Sequence, residues 1–332
     1  MLKILVVGHS MVHPRQQWFF RKLGSIAGHC TIVGPKTWGN LTMNDMANKT
    51  FSMVSLIAFD EGNLFEYTLL GAEEVIEELK PDVIYCQAEL RSIQAMRTLN
   101  AALQNNIPFV IFLWENIFSP KTKEELFILE QAILIICGNR EAKSLIPKEY
   151  QDKCRIIPQV GIELDYFKPY FNIEKKYDVI FCGRPVPEKG IEIIKKGCEE
   201  LNCSLNIIQG KEYEKIPKLL CEGRIFASLP ITTPMWKEQS GSYANLEAMA
   251  CGLPVITTRC GAILEYLGIG TAAHCDENNL ESFITVLKSI VFDKELRNQM
   301  IDLGFIKAKE YSNEIIATKL LEALKECILE TK

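Results

Sequence analysis

Strand-length apolar runs alternate with helix-length segments along this 332-residue chain, and that alternation constrains its fold more than any other feature. Residues 4–7, 30–33, 83–86, 109–113 and 133–137 are short and largely apolar, and read as buried strands. The segments 16–27, 72–79, 93–104 and 124–131 between them read as helices. Strand–helix–strand order of this kind predicts a parallel, doubly wound sheet with helices on both faces. The pattern pauses over 159–176, a stretch with Pro169, several aromatics and few periodic apolar positions that reads as a linker. It restarts with strands at 179–182, 205–208, 225–229 and 255–257, and helices at 191–201, 243–250, 280–291, 295–303 and 314–329. The expectation is an α/β protein of two nucleotide-fold domains facing each other across a cleft, with ligands held outside the carboxyl ends of the strands.

Composition narrows what such a fold can do. A formal net charge of −5 argues against nucleic acid as the main partner, because a phosphate backbone demands a basic face. No apolar run approaches the 18 residues of a membrane span and the chain opens directly on a strand, so a cytoplasmic location is expected. The 12 cysteines are scattered with no Cys-x-x-Cys pair and read as reduced core thiols. The four histidines, His9, His13, His29 and His274, show no metal-ligand spacing with the carboxylates, so neither a metal nor another cofactor is expected. The first βα turn, Gly8-His9-Ser10-Met11-Val12-His13-Pro14, lacks Gly-x-Gly-x-x-Gly, which counts against a nicotinamide-dependent dehydrogenase. That turn suits contact with a substrate, although His9 and His13 read equally well as loop histidines with no chemical task.

Two loops carry the chemistry. In the first, a strand runs into Gly183-Arg184-Pro185-Val186-Pro187-Glu188-Lys189-Gly190 and then a helix. Lys189 stands at that helix start, where the dipole disfavours a cation, and a bound anion would resolve the conflict. Arg184 offers a forked donor to phosphate oxygens and Lys189 a mobile point charge, together offsetting about two negative charges of a diphosphate. The plain alternative pairs this Arg and Lys with Glu188 on the surface. In the second loop, Ser240-Gly241-Ser242 turns into the helix 243–250, with a serine as cap and Gly252 as terminator, ahead of a core strand. Such a helix start is an anion site, and Glu247, about one turn in, lies near where a sugar hydroxyl beyond the phosphates would sit. Glu247 as a solvated residue at the favourable end of the dipole is the other reading. Phosphate together with hydroxyls points to a nucleotide-sugar.

The segments Phe181-Cys182-Gly183-Arg184-Pro185-Val186-Pro187-Glu188-Lys189-Gly190 and Leu246-Glu247-Ala248-Met249-Ala250-Cys251-Gly252-Leu253-Pro254-Val255-Ile256, with the closing helix, resemble retaining glycosyltransferases of family 4. In the first half, 81–85, 114–117, 138–142 and 157–161 are similar to the same family, so the resemblance spans nearly the whole chain. It implies the glycosyltransferase-B fold of two facing Rossmann-like domains: 1–160 on the acceptor side, 161–312 binding the donor, and 313–332 a helix that can cross back to the first. It also implies metal-independent, retaining transfer of a sugar from a nucleoside diphosphate donor to a hydroxyl of a glycan or lipid-linked acceptor. Gly183, Arg184, Lys189 and Ser242 would then surround the diphosphate, and Glu247 would hold the ribose hydroxyls.

Two departures bear on catalysis. The family carries two glutamates with seven residues between them; here Gln239 stands eight positions before Glu247, while Glu238 leaves eight residues between. Either one extra loop residue lets Glu238 reach the donor sugar, or Gln239 has taken its place. A histidine that many relatives carry after the strand ending at Leu113 is replaced by Trp114 and Glu115. Glu115 and His13 are thus the candidates for the polar group beside the reacting carbon. Glu115 reads equally as a solvated loop carboxylate, and Trp114 as core or as a sugar-stacking platform. A non-catalytic nucleotide-sugar-binding subunit and a sugar-nucleotide epimerase are the rival readings. Finally, Arg15-Gln16-Gln17-Trp18-Phe19-Phe20-Arg21-Lys22-Leu23 mixes bulky apolar and basic residues on one helix. It serves either as a weak peripheral contact at the inner face of the membrane or as an ordinary core-facing helix with Arg15 and Lys22 solvated.

Overall fold

A computed structural model describes residues 1–43, 46–115 and 117–330, so Asn116, within the family-like segment 114–117, lies outside the described residues. The chain divides into two compact units, the first formed by Met1–Gly161 with the C-terminal helix and the second by Ile162–Ser312.

The strands of the first unit are β1 (Leu2–Val7), β2 (Gly28–Pro35), the short β3 (Thr37–Trp38) and β4 (Leu41–Thr42), β5 (Phe51–Leu56), the short β6 (Ala58–Phe59) and β7 (Thr68–Leu69), β8 (Val83–Cys86), β9 (Phe109–Leu113), β10 (Leu134–Cys137) and β11 (Cys154–Ile156). Seven of them form a parallel sheet in the order β11-β10-β9-β8-β1-β2-β5. Leu5 lies opposite Thr31 on one side and Ile84 on the other, and Ile4 to Val7 are all buried. Helices on both faces explain why these strands are apolar throughout instead of alternating. The edge strand β5 reads FSMVSL and is mostly half-buried, so a search for continuous apolar runs passes over it.

Helices α1 (Pro14–Ala27), α2 (Ala72–Leu79), α3 (Ile93–Gln104), α4 (Lys123–Gln131) and α5 (Arg140–Ser144) connect the strands. Pro14 opens α1, where its missing N–H is no loss. Phe19, Phe20 and Leu23 of α1 are fully buried and Trp18 nearly so. The apolar side of this helix is therefore core, as the second of its two sequence readings has it. Lys22 Nζ lies 3.7 Å from Glu314 on the C-terminal helix, which packs along α1. Among the described residues no helix is long and apolar enough to cross a membrane.

The second unit holds β12 (Tyr177–Cys182), α6 (Ile191–Glu200), β13 (Leu205–Ile208), α7 (Ile216–Cys221), β14 (Gly223–Ser228), α8 (Tyr243–Ala250), β15 (Val255–Thr257), α9 (Ile263–Leu267), β16 (Ala273–His274), α10 (Leu280–Phe292) and α11 (Lys294–Glu310); α12 (Asn313–Glu330) returns to the first unit. Its sheet is parallel in the order β13-β12-β14-β15-β16. The stretch 159–176 has no helix or strand, yet Val160, Ile162 and Phe167 are buried, so it is packed chain and not a solvated linker. In both sheets the order reverses beside the first strand, and the crevice between oppositely running crossovers opens at the carboxyl ends there.

Candidate functional site

The reversal in the second unit brings together the two loops singled out in the sequence. Gly183 to Gly190 follow β12, and Gly190 holds φ 67°, where an added Cβ would stand 2.1 Å from the Leu229 carbonyl oxygen beyond β14. Only glycine allows this approach. Arg184 is exposed. Lys189 Nζ donates to Glu238 Oε2 at 2.7 Å and sits 4.6 Å over the Trp236 ring, so its carboxylate partner is Glu238 and not the adjacent Glu188.

Glu238 is 7% exposed, and a chain of hydrogen bonds runs from it to the start of α8. Ser240 Oγ donates to Glu238 Oε1 at 3.4 Å and accepts the Ser242 N–H at 3.1 Å. The backbone of Glu238 is pinned from the other side, since Ala262 N–H donates to its carbonyl at 2.9 Å. Gly261, at φ 56°, would place a Cβ 2.0 Å from that same oxygen.

Ser242 is the N-cap residue of α8 but makes no side-chain cap, which corrects its sequence assignment. The reason is its backbone, φ 56° and ψ 109°, far from the extended conformation that lets a capping serine reach the N2 or N3 amide. A non-glycine residue there carries strain on the order of 1–3 kcal/mol. Asn245 stabilises the turn instead, its Nδ2 donating to the Gly241 carbonyl at 2.9 Å and to Thr257 Oγ1 of β15 at 3.3 Å. The far end of α8 follows the sequence: Gly252 N–H bonds the Met249 carbonyl and Leu253 N–H that of Ala248, with Gly252 at φ 79°.

Glu247 is 2% exposed, which excludes a solvated carboxylate. The Tyr213 hydroxyl, from the turn after β13, donates to its Oε1. The Tyr213 ring packs on Phe167 with centroids 5.4 Å apart. Nothing in the run Lys211-Glu212-Tyr213-Glu214-Lys215 marks that tyrosine beforehand, because a lone aromatic among charges reads as a surface turn. Gln239 is half-buried, and of the two neighbours it is Glu238 that meets Lys189.

The remaining candidates belong to the first unit. Glu115 is half-buried and ion-paired with Lys121, which also lies 3.8 Å from Glu125, so it is not a free loop carboxylate. Trp114 packs on Phe112 at 5.6 Å between centroids. His13 is exposed, and its carbonyl accepts the first N–H groups of α1. Sequence reasoning passed over Glu89, just beyond β8, whose carboxyl is pushed up to about 7 by burial and then by the nearby Glu115 charge, against the opposing pull of Lys121. A single Glu after a strand carries no pattern that could have revealed it.

Residues 198–305 match the family of glycosyl transferases group 1, a span that contains Tyr213, Glu238 and Glu247. An uncharacterized glycosyltransferase of Methanocaldococcus jannaschii is 24% identical over 201 residues, covering 54% of this chain and 56% of that protein. The match thus spans little more than half the length of that relative. Sucrose-phosphate synthase from Thermosynechococcus elongatus superposes with a TM-score of 0.74 at 14% identity, covering 99% of this chain and 100% of that one. HepE of Anabaena, in complex with UDP and glucose, does so with 0.72 at 13% identity, covering 98% and 100%. The chain is therefore an α/β protein of the glycosyltransferase-B fold, and residues 198–305 of its second unit are similar to the family of glycosyl transferases group 1.

Proposed function

We propose that the chain is a retaining glycosyltransferase of the family 4 kind, moving a sugar from a nucleoside diphosphate donor to a hydroxyl of a glycan or lipid-linked acceptor. The observation that carries the proposal is the hydrogen-bonded chain from Lys189 through Glu238 and Ser240 to the amide of Ser242. It ties a cationic loop and a helix start into one place on the second unit. A diphosphate entering there meets the exposed fork of Arg184, the Lys189 ammonium and the positive end of α8. Lys189 turns to the phosphates, which frees Glu238 to accept hydroxyls of the donor sugar. Glu247, with one oxygen already held by Tyr213, accepts the ribose hydroxyls with the other.

In the transfer step the bond between the anomeric carbon and the phosphate oxygen breaks, its electron pair leaving with the diphosphate. The acceptor oxygen bonds that carbon from the same face, and its proton passes to the departing phosphate oxygen. Arg184, Lys189 and the α8 amides stabilise the charge that develops, without need of a divalent cation. HepE was solved with UDP and glucose, which supports a nucleotide-sugar as donor here. The test is incubation with a panel of nucleoside diphosphate sugars, following diphosphate release and the anomeric configuration of the product by NMR. Release with retained configuration is expected. Inverted product would overturn the retaining assignment, and binding without turnover would leave a nucleotide-sugar-binding subunit instead.

A further inference from the structure

Two free thiols meet in the second unit, where the end of α7 packs on the end of α8. Cys221 is the last residue of α7 and Cys251 the C-cap of α8, and each is 2% exposed. Cys221 Sγ lies 3.8 Å from the Cys251 carbonyl oxygen, while Cys251 Sγ lies 3.8 Å from the carbonyl oxygen of Pro217, one helical turn before Cys221. Each sulfur therefore touches the segment that carries the other, and the Cys251 thiol hydrogen-bonds the Cys221 sulfur. A disulfide needs backbones within this reach.

The two sulfurs are not equivalent. The hydrogen bond from Cys251, then the Tyr170 N–H and the Lys175 ammonium, hold Cys221 below the ordinary thiol value against the opposing effect of burial. Burial first, and then the hydrogen bond to Cys221, push Cys251 well up. Cys221 is thus the thiolate of the pair, the nucleophilic form, and Cys251 a protonated neighbour placed to resolve its adduct. Their cover is the stretch 168–175, which has no helix or strand; its Lys168 carbonyl oxygen lies 3.7 Å from Cys221 Sγ, and Phe171 is 92% exposed. Local opening of such a segment admits a small neutral molecule at far less cost than opening the sheet. A second pair, Cys137 and Cys154 of β10 and β11, also hydrogen-bonds, but Cys154 stands opposite Ile135, two residues from Cys137. That diagonal puts the Cα atoms about 8 Å apart, beyond the span of a disulfide.

We propose that Cys221 and Cys251 form a peroxide-sensitive pair that closes into a reversible disulfide and fixes the end of α7 to the end of α8. The Cys221 thiolate attacks one oxygen of hydrogen peroxide, the O–O bond breaks, and the other oxygen leaves as hydroxide, which takes a proton from solvent to become water. Cys221 is left as a sulfenic acid. The Cys251 sulfur displaces that hydroxyl, which departs with the Cys251 thiol proton as a second water, and the S–S bond forms. Two thiols lose two electrons and one peroxide gains them. Tyr213, which donates to Glu247, stands three residues before α7, and the Cys251 N–H bonds the Glu247 carbonyl at 3.0 Å. The disulfide therefore ties together, at their far ends, the two segments that meet in the Tyr213–Glu247 hydrogen bond. Its formation is independent of the function proposed above.

The test is to treat the native full chain with hydrogen peroxide, block the remaining thiols with N-ethylmaleimide and map linked peptides by mass spectrometry, before and after reduction with dithiothreitol. A Cys221–Cys251 link should appear and be lost on reduction, and a Cys137–Cys154 link should not form. Hydrogen exchange in α7 and at 247–251 should slow tenfold or more in the oxidised chain. Cys251→Ser, which leaves Cys221 without a resolving thiol, should accumulate a sulfenic acid that dimedone traps, and Cys221→Ser should react with peroxide tenfold or more slowly than the parent. Circular dichroism reports the folding of both variants, and the peptide map of the parent decides even where a variant fails to fold. Absence of the Cys221–Cys251 link from the oxidised parent, exchange unchanged on oxidation, or equal peroxide reactivity in the two folded variants would overturn the proposal.

Discussion

Replacing Glu89 by glutamine should stabilise the first unit at alkaline pH and change it little at acidic pH. Burial and the Glu115 charge raise this carboxyl from 4.5 to about 7 in the folded chain. A group that binds its proton more tightly when folded contributes fully below its unfolded value, near pH 4.5, and loses that contribution as pH rises towards 7. At about 1.4 kcal/mol per pH unit, the loss above neutrality is about 3 kcal/mol. Glutamine has no proton to lose and escapes it. The assay is urea unfolding in a Trp236→Phe background, in which the remaining tryptophans, Trp18, Trp38 and Trp114, all report on the first unit. Between pH 5 and pH 8.5 the advantage of the variant should grow by about 2–3 kcal/mol, which moves the midpoint by roughly 1 M urea for a slope of about 2 kcal/mol/M. An advantage equal at both pH values would refute the reasoning, since it would mean that the carboxyl titrates alike in folded and unfolded chains.

Gly190→Ala should destabilise the second unit by at least about 2 kcal/mol, because it sets a Cβ against the Leu229 carbonyl at a left-handed position; parental thermal stability would contradict the packing argument. Glu247→Gln should weaken nucleoside diphosphate binding about tenfold in calorimetry while circular dichroism stays parental, and equal binding would remove the ribose assignment. Glu238→Ala should slow transfer more than Gln239→Ala, because Glu238 is the residue that meets Lys189; the reverse order of rates would give the role to Gln239.

The architecture was legible because its parallel strands are buried on both faces and leave apolar runs such as 83–86 and 109–113, which became β8 and β9. Elements that do not bury a continuous run escaped: the edge strand β5, the short α7 and α9, and the part of α11 beyond residue 303. There Gly304 lets α11 approach α8, since a Cβ on it would already touch Met249 at 3.2 Å. At the site, Arg184, Lys189 and Glu247 were marked by loop chemistry at helix starts, and Glu238, with Gln239 as its alternative, by the resemblance to the family's pair of glutamates. Their partners were not. Tyr213 reaches Glu247 from 34 residues away, and Asn245 does the work assigned to the Ser242 side chain. Such pairings depend on where separate loops meet, which local spacing does not encode. Glu89 was missed for the same reason, because its character comes from burial among distant residues.

The central claim is that the loop 183–190 and the start of α8 hold a nucleoside diphosphate, and calorimetric titration of UDP, GDP and ADP into the parent, Arg184→Ala and Lys189→Ala tests it most directly. At least one diphosphate should bind the parent, and each variant should lose on the order of 1.5–3 kcal/mol, or about 10- to 150-fold, as one charge-assisted contact disappears. Parental affinity in both variants, or no binding of any diphosphate by the parent, would contradict the account.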